Sequence, residues 1–522
     1  MPRRNLVIII VASVLSVACY GRAQRNRFAS MFAEAVDRIS SSYVREVDER
    51  QLFEGAMTGM LGRLDPYSSY IGPEQYMEFK SDIDQEFGGI GIIVSPDPTT
   101  KRLIVLSPVV GTPAHRAGVL AGDMIVKVDG TDIEKFTMPE TVKRLRGKPG
   151  TDVSLSLLRR GAEALTEITV TREVIKVPSV LGETMRPDGS WNFLLKDPPG
   201  IAYIRLTTFG EHSVEELELA IKSVEAKLLV GLILDLRSNA GGLLEAATST
   251  CDMFLDEGEI VTLRGRGALV RDRRVASRGT LVQKELPVAV LVNRYSASAS
   301  EIVAACLQDH GRAVIVGERS YGKGTVQNVI PLELGKSVMK LTTATFWRPS
   351  NANIHRAEDA TQDDKWGVLP DDGYNVPLSD EEFSQLELAR NRLDYPGSPP
   401  EPSSDDDGEH DAADPNRSET ETEDGTDDNG STNDEPADNG LDPNSTADES
   451  ISQESELDNN DTSGDAPSEA AESAEDKTDR PGEPTGQQVD AEQNPIDDPQ
   501  LQRAVEYILE AQQELTPRAD AA

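Results

Sequence analysis

The chain has 522 residues, room for two to four domains at roughly 100–200 residues each. Its formal net charge is −39, from 91 acidic and 52 basic side chains. Such acidity argues against a nucleic-acid partner, which needs Lys and Arg to displace phosphate counterions. Three cysteines and five scattered histidines, with no CxxC, Cys/His cluster or HExxH, argue against a metal site.

At the N-terminus, Met1-Pro-Arg-Arg-Asn leads into an almost wholly apolar run, Leu6–Tyr20, followed by Arg22, Arg25 and Arg27. This is the pattern of a secretory h-region. It is short for a membrane span, which needs about 20 residues. Leu15-Ser-Val-Ala-Cys19 also resembles a lipoprotein cleavage box, with Ser16 where Leu is usual. Export to the cell envelope or periplasm is expected. A cleaved signal, a lipoprotein signal and an uncleaved anchor all stay open.

Phe32, Val36 and Ile39, then Leu52, Ala56 and Met60, recur at helical spacing and predict helices within 28–80. Leu64-Asp-Pro-Tyr-Ser-Ser-Tyr70 breaks them with a turn. From 86 to 172 the chain reads as short strands and turns. Residues 173–394 read as α/β: the apolar runs Val230–Leu236, Pro287–Val292 and Ala313–Gly317 predict buried strands. A helix is expected from Ser298 to Leu307. Alternating strands and helices imply largely parallel βαβ units. Residues 395–496 are rich in Asp, Glu, Ser, Pro and Gly and hold too little apolar surface to offset ordering entropy, so disorder is expected. Residues 401–497 hold 33 acidic against 3 basic side chains, so 30 of the 39 net negative charges fall there. An amphipathic helix is expected from Asp498 to Leu509. The implied segments are 1–27 signal or anchor, 28–85 helical, 86–172 and 173–394 folded, 395–496 acidic linker and 497–516 helix.

Ser298 stands at a predicted strand–turn–helix junction, in Ser296-Ala-Ser-Ala-Ser-Glu301. A helix N-terminus offers unpaired N–H groups and positive potential to a developing oxyanion. The N–H of Ala299 is one such donor. Ser298-x-x-Glu301 is equally a plain capping box. Lys323, in Tyr321-Gly-Lys-Gly324, is a possible base, because burial favours the neutral amine. Gln327 stands four residues on. A surface loop lysine is the plainer reading. His310 and His355 are the rival bases. Gly317-x-x-x-x-Gly322-Lys323 approaches a phosphate-binding loop, but Gly324 follows where Ser or Thr should bind Mg²⁺. The turn Asn239-Ala-Gly-Gly242 follows another buried strand and offers further N–H donors, and Asp235 is placed to pair with Arg237.

These segments together resemble the carboxy-terminal processing peptidases, or tail-specific proteases, over about 28–392 and again at 498–509. The most specific stretch runs from Asn293 to Gln327. It includes Ser296-Ala-Ser-Ala-Ser-Glu-Ile302, Leu307-Gln-Asp-His310, Val316-Gly-Glu318 and Gly322-Lys-Gly-Thr-Val-Gln327, with 25 residues from Ser298 to Lys323. The resemblance implies Ser298 as nucleophile, Lys323 as base and Gln327 as its partner. It implies an oxyanion hole from Ala299 and Gly241 or Gly242, with the choice of glycine left open. It implies an α/β core of the crotonase-like or ClpP-like spiral type, an inserted PDZ domain and a helical N-terminal segment. No cofactor or metal is implied. Phe87-Gly-Gly-Ile-Gly-Ile92 and Gly111–Gly130 resemble the PDZ part. Gly89, Ile90, Gly91 and Ile92 would then receive a free, apolar C-terminus of a polypeptide substrate. The implied activity is endoproteolysis of exported or membrane proteins near their C-termini through an acyl-enzyme. An inactive PDZ scaffold and a hydrolase with a histidine base are the alternatives. Membrane association through the N-terminus, a homo-oligomer and an adaptor or activator stay open as partners. The oxyanion turn departs from the family's usual Asn-Asn-Pro-Gly-Gly, reading Ser238-Asn-Ala-Gly-Gly242, and the acidic stretch stands where the family has a short connection.

Overall fold

Two β-strands, Gly231–Asp235 and Val288–Val292, are buried at every position, so they read in the sequence as unbroken apolar runs. They form the middle of a five-stranded sheet in the order Val180–Leu181, Ile201–Leu206, Gly231–Asp235, Val288–Val292, Val314–Gly317. The first pairing is antiparallel and the rest are parallel. The computed structural model describes residues 27–97, 100, 102–162, 164–186, 188–224, 229–394 and 497–515, with a few isolated positions before 27. The acidic stretch 395–496 lies outside these residues, and the run 6–20 with Cys19 lies almost wholly outside them. Among the described residues no helix is long and apolar enough to cross a membrane.

Helices Ser213–Ser223, Leu244–Asp252 and Ala299–Asp309 cover one face of the sheet. Behind them lies a second sheet, of Ser69–Ile71, Glu259–Arg264, Val270–Val275, Thr325–Leu332 and Ser337–Trp347. Val290, Val303, Ile260 and Phe346 belong to the single core that joins these layers. The other face is closed by the helix Pro499–Leu515, whose Ala504 and Ile508 pack with Ile233 and Leu291. Gly231 allows this approach: a Cβ there would stand 2.2 Å from Ile508 Cγ2. Arg237 adds a buried ion pair to Asp498 at 2.9 Å.

Helices Arg27–Ser42 and Glu49–Leu61 precede the expected turn at 64–70. That turn ends in a strand, Ser69–Ile71, paired antiparallel with Ser337–Trp347. Three residues are too few to show an alternation, so the sequence pattern does not reveal it. Helix Pro73–Asp84 follows. Strand Glu86–Gly89 then pairs with Glu173–Lys176 to form a two-stranded neck. Between its arms lies a separate sheet in the order Ile92–Pro96, Leu103–Pro108, Met124–Val128, Asp152–Leu158, Leu165–Thr171. Its own core is built on Val105, Ile125, Leu155 and Leu157. Ile92–Pro96 is an edge strand of this sheet.

Candidate active site

Ser298 sits between strand Val288–Val292 and helix Ala299–Asp309. Its backbone, φ 53° and ψ −109°, lies in a region that L-residues rarely adopt. Holding it there costs roughly 1–3 kcal/mol, a strain that surrounding contacts must offset. Those contacts are visible. Asn239 carbonyl accepts from Ala297 N–H at 3.0 Å and from Ser300 Oγ at 2.8 Å. Ser296 Oγ donates to the Leu236 carbonyl at 2.8 Å, and Ser238 N–H to Asn293 Oδ1 at 2.9 Å. The two strand-end turns, 236–242 and 293–298, are therefore tied into one unit. Ser298 is 9% exposed, so its hydroxyl lies at the floor of the surface.

The expected pairing of Ser298 with Glu301 is present, and it does more than cap a helix. Glu301 Oε2 accepts the N–H of Ser298 at 2.9 Å and that of Lys323 at 2.8 Å. One oxygen thus joins the backbones of the two expected catalytic residues. Glu301 Oε1 accepts from Gly322 N–H at 2.7 Å and from the Ser320 hydroxyl. Tyr321 N–H adds a bond to Ser296 carbonyl at 2.9 Å. Lys323 is 3% exposed, not a surface lysine, and its Nζ lies 4.7 Å from the centroid of the Tyr67 ring. Beyond Lys323 the chain runs on as strand Thr325–Leu332, where a phosphate-binding loop would need a helix.

Gln327 is buried. Its Nε2 donates to Thr325 Oγ1 at 2.9 Å and Thr342 Oγ1 at 3.0 Å. Thr342 Oγ1 in turn donates to Asp65 Oδ1 at 3.2 Å, and Thr342 N–H to Ser68 Oγ at 3.0 Å. The N-terminal stretch 64–70 is thereby fixed beside the lysine. Nothing in its sequence pattern announced this, because the contacts span more than 270 residues of chain.

Of the expected oxyanion donors, Ala299 occupies the first helical turn, where a backbone N–H has no intrahelical acceptor. Gly241 N–H is already given to Asn239 Oδ1 at 2.9 Å. Of the two expected glycines, Gly242 is the one whose N–H is not given to Asn239. It has φ 139°, and a Cβ on it would fall 2.3 Å from the Phe209 carbonyl oxygen, so only glycine fits. A cavity of about 460 Å³ runs from this turn to the neck, with Phe209, Leu243, Val177 and Phe87 among its walls and Arg146 lining it as well.

His310 caps the far end of the Ala299–Asp309 helix and bonds the Glu259 carbonyl at 2.8 Å. Eleven helical residues, about 16 Å, separate it from Ser298. His355 packs edge-on against Tyr67, with ring centroids 6.5 Å apart, and burial lowers its pKa. The expected Asp235–Arg237 pair forms at 2.6 Å, where the strand enters the 236–242 turn.

In the PDZ-like part, Ile90 is 2% exposed and its side chain belongs to the core. Its carbonyl accepts from Ala114, and that of Gly91 from Val109 and Thr112. Ile90 therefore has only backbone to offer a ligand. Gly91 has φ 75° and its Cβ position is filled by Thr112. Gly89 ends the neck strand and Ile92 opens the edge strand.

Residues 200–371 match peptidase family S41, residues 104–159 a PDZ domain, and residues 18–75 the N-terminal domain of the activating protease CtpB. Over 404 residues the chain is 38% identical to a carboxy-terminal-processing protease of Bartonella bacilliformis, covering 73% of this chain and 87% of that one. The chain belongs to the carboxy-terminal processing proteases of family S41. It is a serine peptidase with a PDZ domain. It is also 34% identical over 361 residues to the carboxy-terminal processing protease CtpA of Bacillus subtilis, covering 67% of this chain and 74% of that protein. Ser298, Lys323 and Gln327 fall within the S41 match, and Asp65, Tyr67 and Ser68, beside Lys323 and Thr342, fall within the matched N-terminal domain.

Proposed function

We propose that this peptidase cleaves polypeptides near their C-termini with Ser298 as nucleophile and Lys323 as general base. The observation that carries this is the buried Lys323, tied through one Glu301 oxygen to the strained Ser298 turn. Ser298 Oγ attacks the scissile carbonyl while neutral Lys323 Nζ takes its proton. The negative oxygen is met by the N–H groups of Ala299 and Gly242. The tetrahedral adduct collapses, Lys323 gives the proton to the leaving amine, and an acyl-enzyme remains. Water, deprotonated by Lys323, then releases the acid. Gln327 presents its amide oxygen to orient the amine. The substrate's free C-terminus adds as a strand beside Ile92–Pro96, with its carboxylate at the backbone N–H groups of Gly89–Gly91. The preceding chain crosses the apolar cavity to Ser298. The arginine-flanked run at 6–20 supports export, so the substrates are exported or membrane-protein tails.

The test is cleavage of an unfolded protein with an apolar tail, in chelator and without nucleotide. Ser298→Ala and Lys323→Ala, folded by circular dichroism, should each lose at least about 1,000-fold in rate. His310→Ala and His355→Ala should retain activity. Activity persisting in Lys323→Ala would remove the lysine from the mechanism.

A further inference from the structure

Glu301 is 0% exposed, yet its carboxylate takes four donors from two segments of chain. We propose that Glu301 is the positioning residue of the catalytic pair, its ionised carboxylate holding the Ser298 turn and the Lys323 loop in register. The inference rests on the Ser298–Lys323 reading and adds the group that sets its geometry.

The argument is one of donor and acceptor counts. An ionised carboxylate only accepts, and each oxygen can take two donors. Here all four directions are used: Ser298 and Lys323 N–H on Oε2, Gly322 N–H and Ser320 Oγ on Oε1. A carboxamide in its place puts an NH2 group, which cannot accept, where two donors now bond. One of the two ties must then open. If it is the Oε2 tie, nucleophile and base part; if it is the Oε1 tie, the Lys323 loop loosens at Gly322. Misplacement by about 1 Å at such a site is worth on the order of 100-fold in rate. Burial pushes the Glu301 pKa up to about 7, with the Ser320, Gly322, Ser298 and Lys323 hydrogen bonds pulling it back down. The charged and titratable groups around it are Lys323 and Tyr321 on the same loop, Arg319 next to Ser320, and His355 and Arg356, whose residues close over Gly324 and Gly322.

The experiment is Glu301→Gln and Glu301→Asp in the full chain, with kcat and KM measured on the tailed substrate. In folded Glu301→Gln kcat should fall about 100-fold with KM within about twofold. Glu301→Asp keeps a carboxylate, drawn back by one methylene, and should recover part of that loss in kcat. A folded Glu301→Gln with wild-type kcat overturns the proposal. So does a Glu301→Asp no faster than a slowed Glu301→Gln, since the effect would then not come from the carboxylate. If Glu301→Gln does not fold, Glu301→Asp decides: a lowered kcat with KM unchanged supports the proposal, and wild-type kcat overturns it. Failure of the underlying dyad reading looks different: Lys323→Ala would stay active.

Discussion

Ser298, Gly242 and Glu301 each carry a local cost that the rest of the molecule offsets. Ser298 holds a positive φ without being glycine. Gly242 occupies a position where any side chain would strike Phe209. Gly242→Ala should therefore destabilise the fold by more than about 1 kcal/mol. It should also lower kcat by about 100-fold or more, through displacement of the oxyanion donor. Melting curves and steady-state kinetics on one preparation check both. Glu301 has a pKa raised by burial from the ordinary 4.5 to about 7. Between those values the folded state binds more protons than the unfolded state. Stability from this group is therefore full below the lower value and is lost as pH rises to the upper one. The loss is on the order of 3 kcal/mol, and Glu301→Gln should lack it. Urea unfolding at pH 5 and pH 8 should show the wild type losing that amount relative to the variant. A carboxylate that weakens the fold in the form that orders the site is a trade of stability for geometry.

At the scale of elements, the C-terminal helix Pro499–Leu515 seals one face of the parallel sheet, although more than 100 residues separate it from Asp394. Ile508→Ala should cost about 2–5 kcal/mol in urea unfolding, because Gly231 opposite offers no side chain to fill the gap. Asp498→Ala should cost about 1–3 kcal/mol by removing one of the two carboxylates that hold buried Arg237. Arg237 also pairs with Asp235, at the strand end that leads into the 236–242 turn, so the same variant should lower kcat. If stability falls and kcat does not, the helix is a cover alone. The sequence pattern marked this helix by its apolar spacing. It did not mark the strand Ser69–Ile71 or the second sheet's pairing order, since half-buried and short strands leave weak periodicity.

For the whole molecule, the two-stranded neck carries the sheet with the edge strand Ile92–Pro96, and the cavity at the Gly242 turn reaches Phe87 of that neck. The proposed route of a docked tail to Ser298 runs over these elements. A short peptide with a free apolar C-terminus should therefore change the rate of cleavage of a tailed substrate. Its C-terminal amide should not, because the proposed docking has the loop N–H groups read the carboxylate. Equal effects of acid and amide would remove the PDZ loop from substrate selection.

What the sequence determined by itself was chemical and local. The Ser298 and Lys323 motifs, their 25-residue spacing, the apolar strand runs and the acidic stretch are all written in neighbouring residues. Burial enforces such patterns along the chain, so they are legible before folding. What only the tertiary structure decided was convergence. Glu301 looked like a helix cap because its nearest donor, Ser298, is three residues away, while its other donors lie 19 to 22 residues on. That Gly241 N–H is already taken, which favours Gly242 in the proposed oxyanion hole, followed from a single Asn239 side-chain bond. The place of Tyr67 beside the Lys323 amine, and the bond of His310 to the Glu259 carbonyl, followed from packing between distant segments. Hydrogen bonds and ring contacts of that kind have no period in sequence, and they arise only when the folded chain brings their donors and acceptors together.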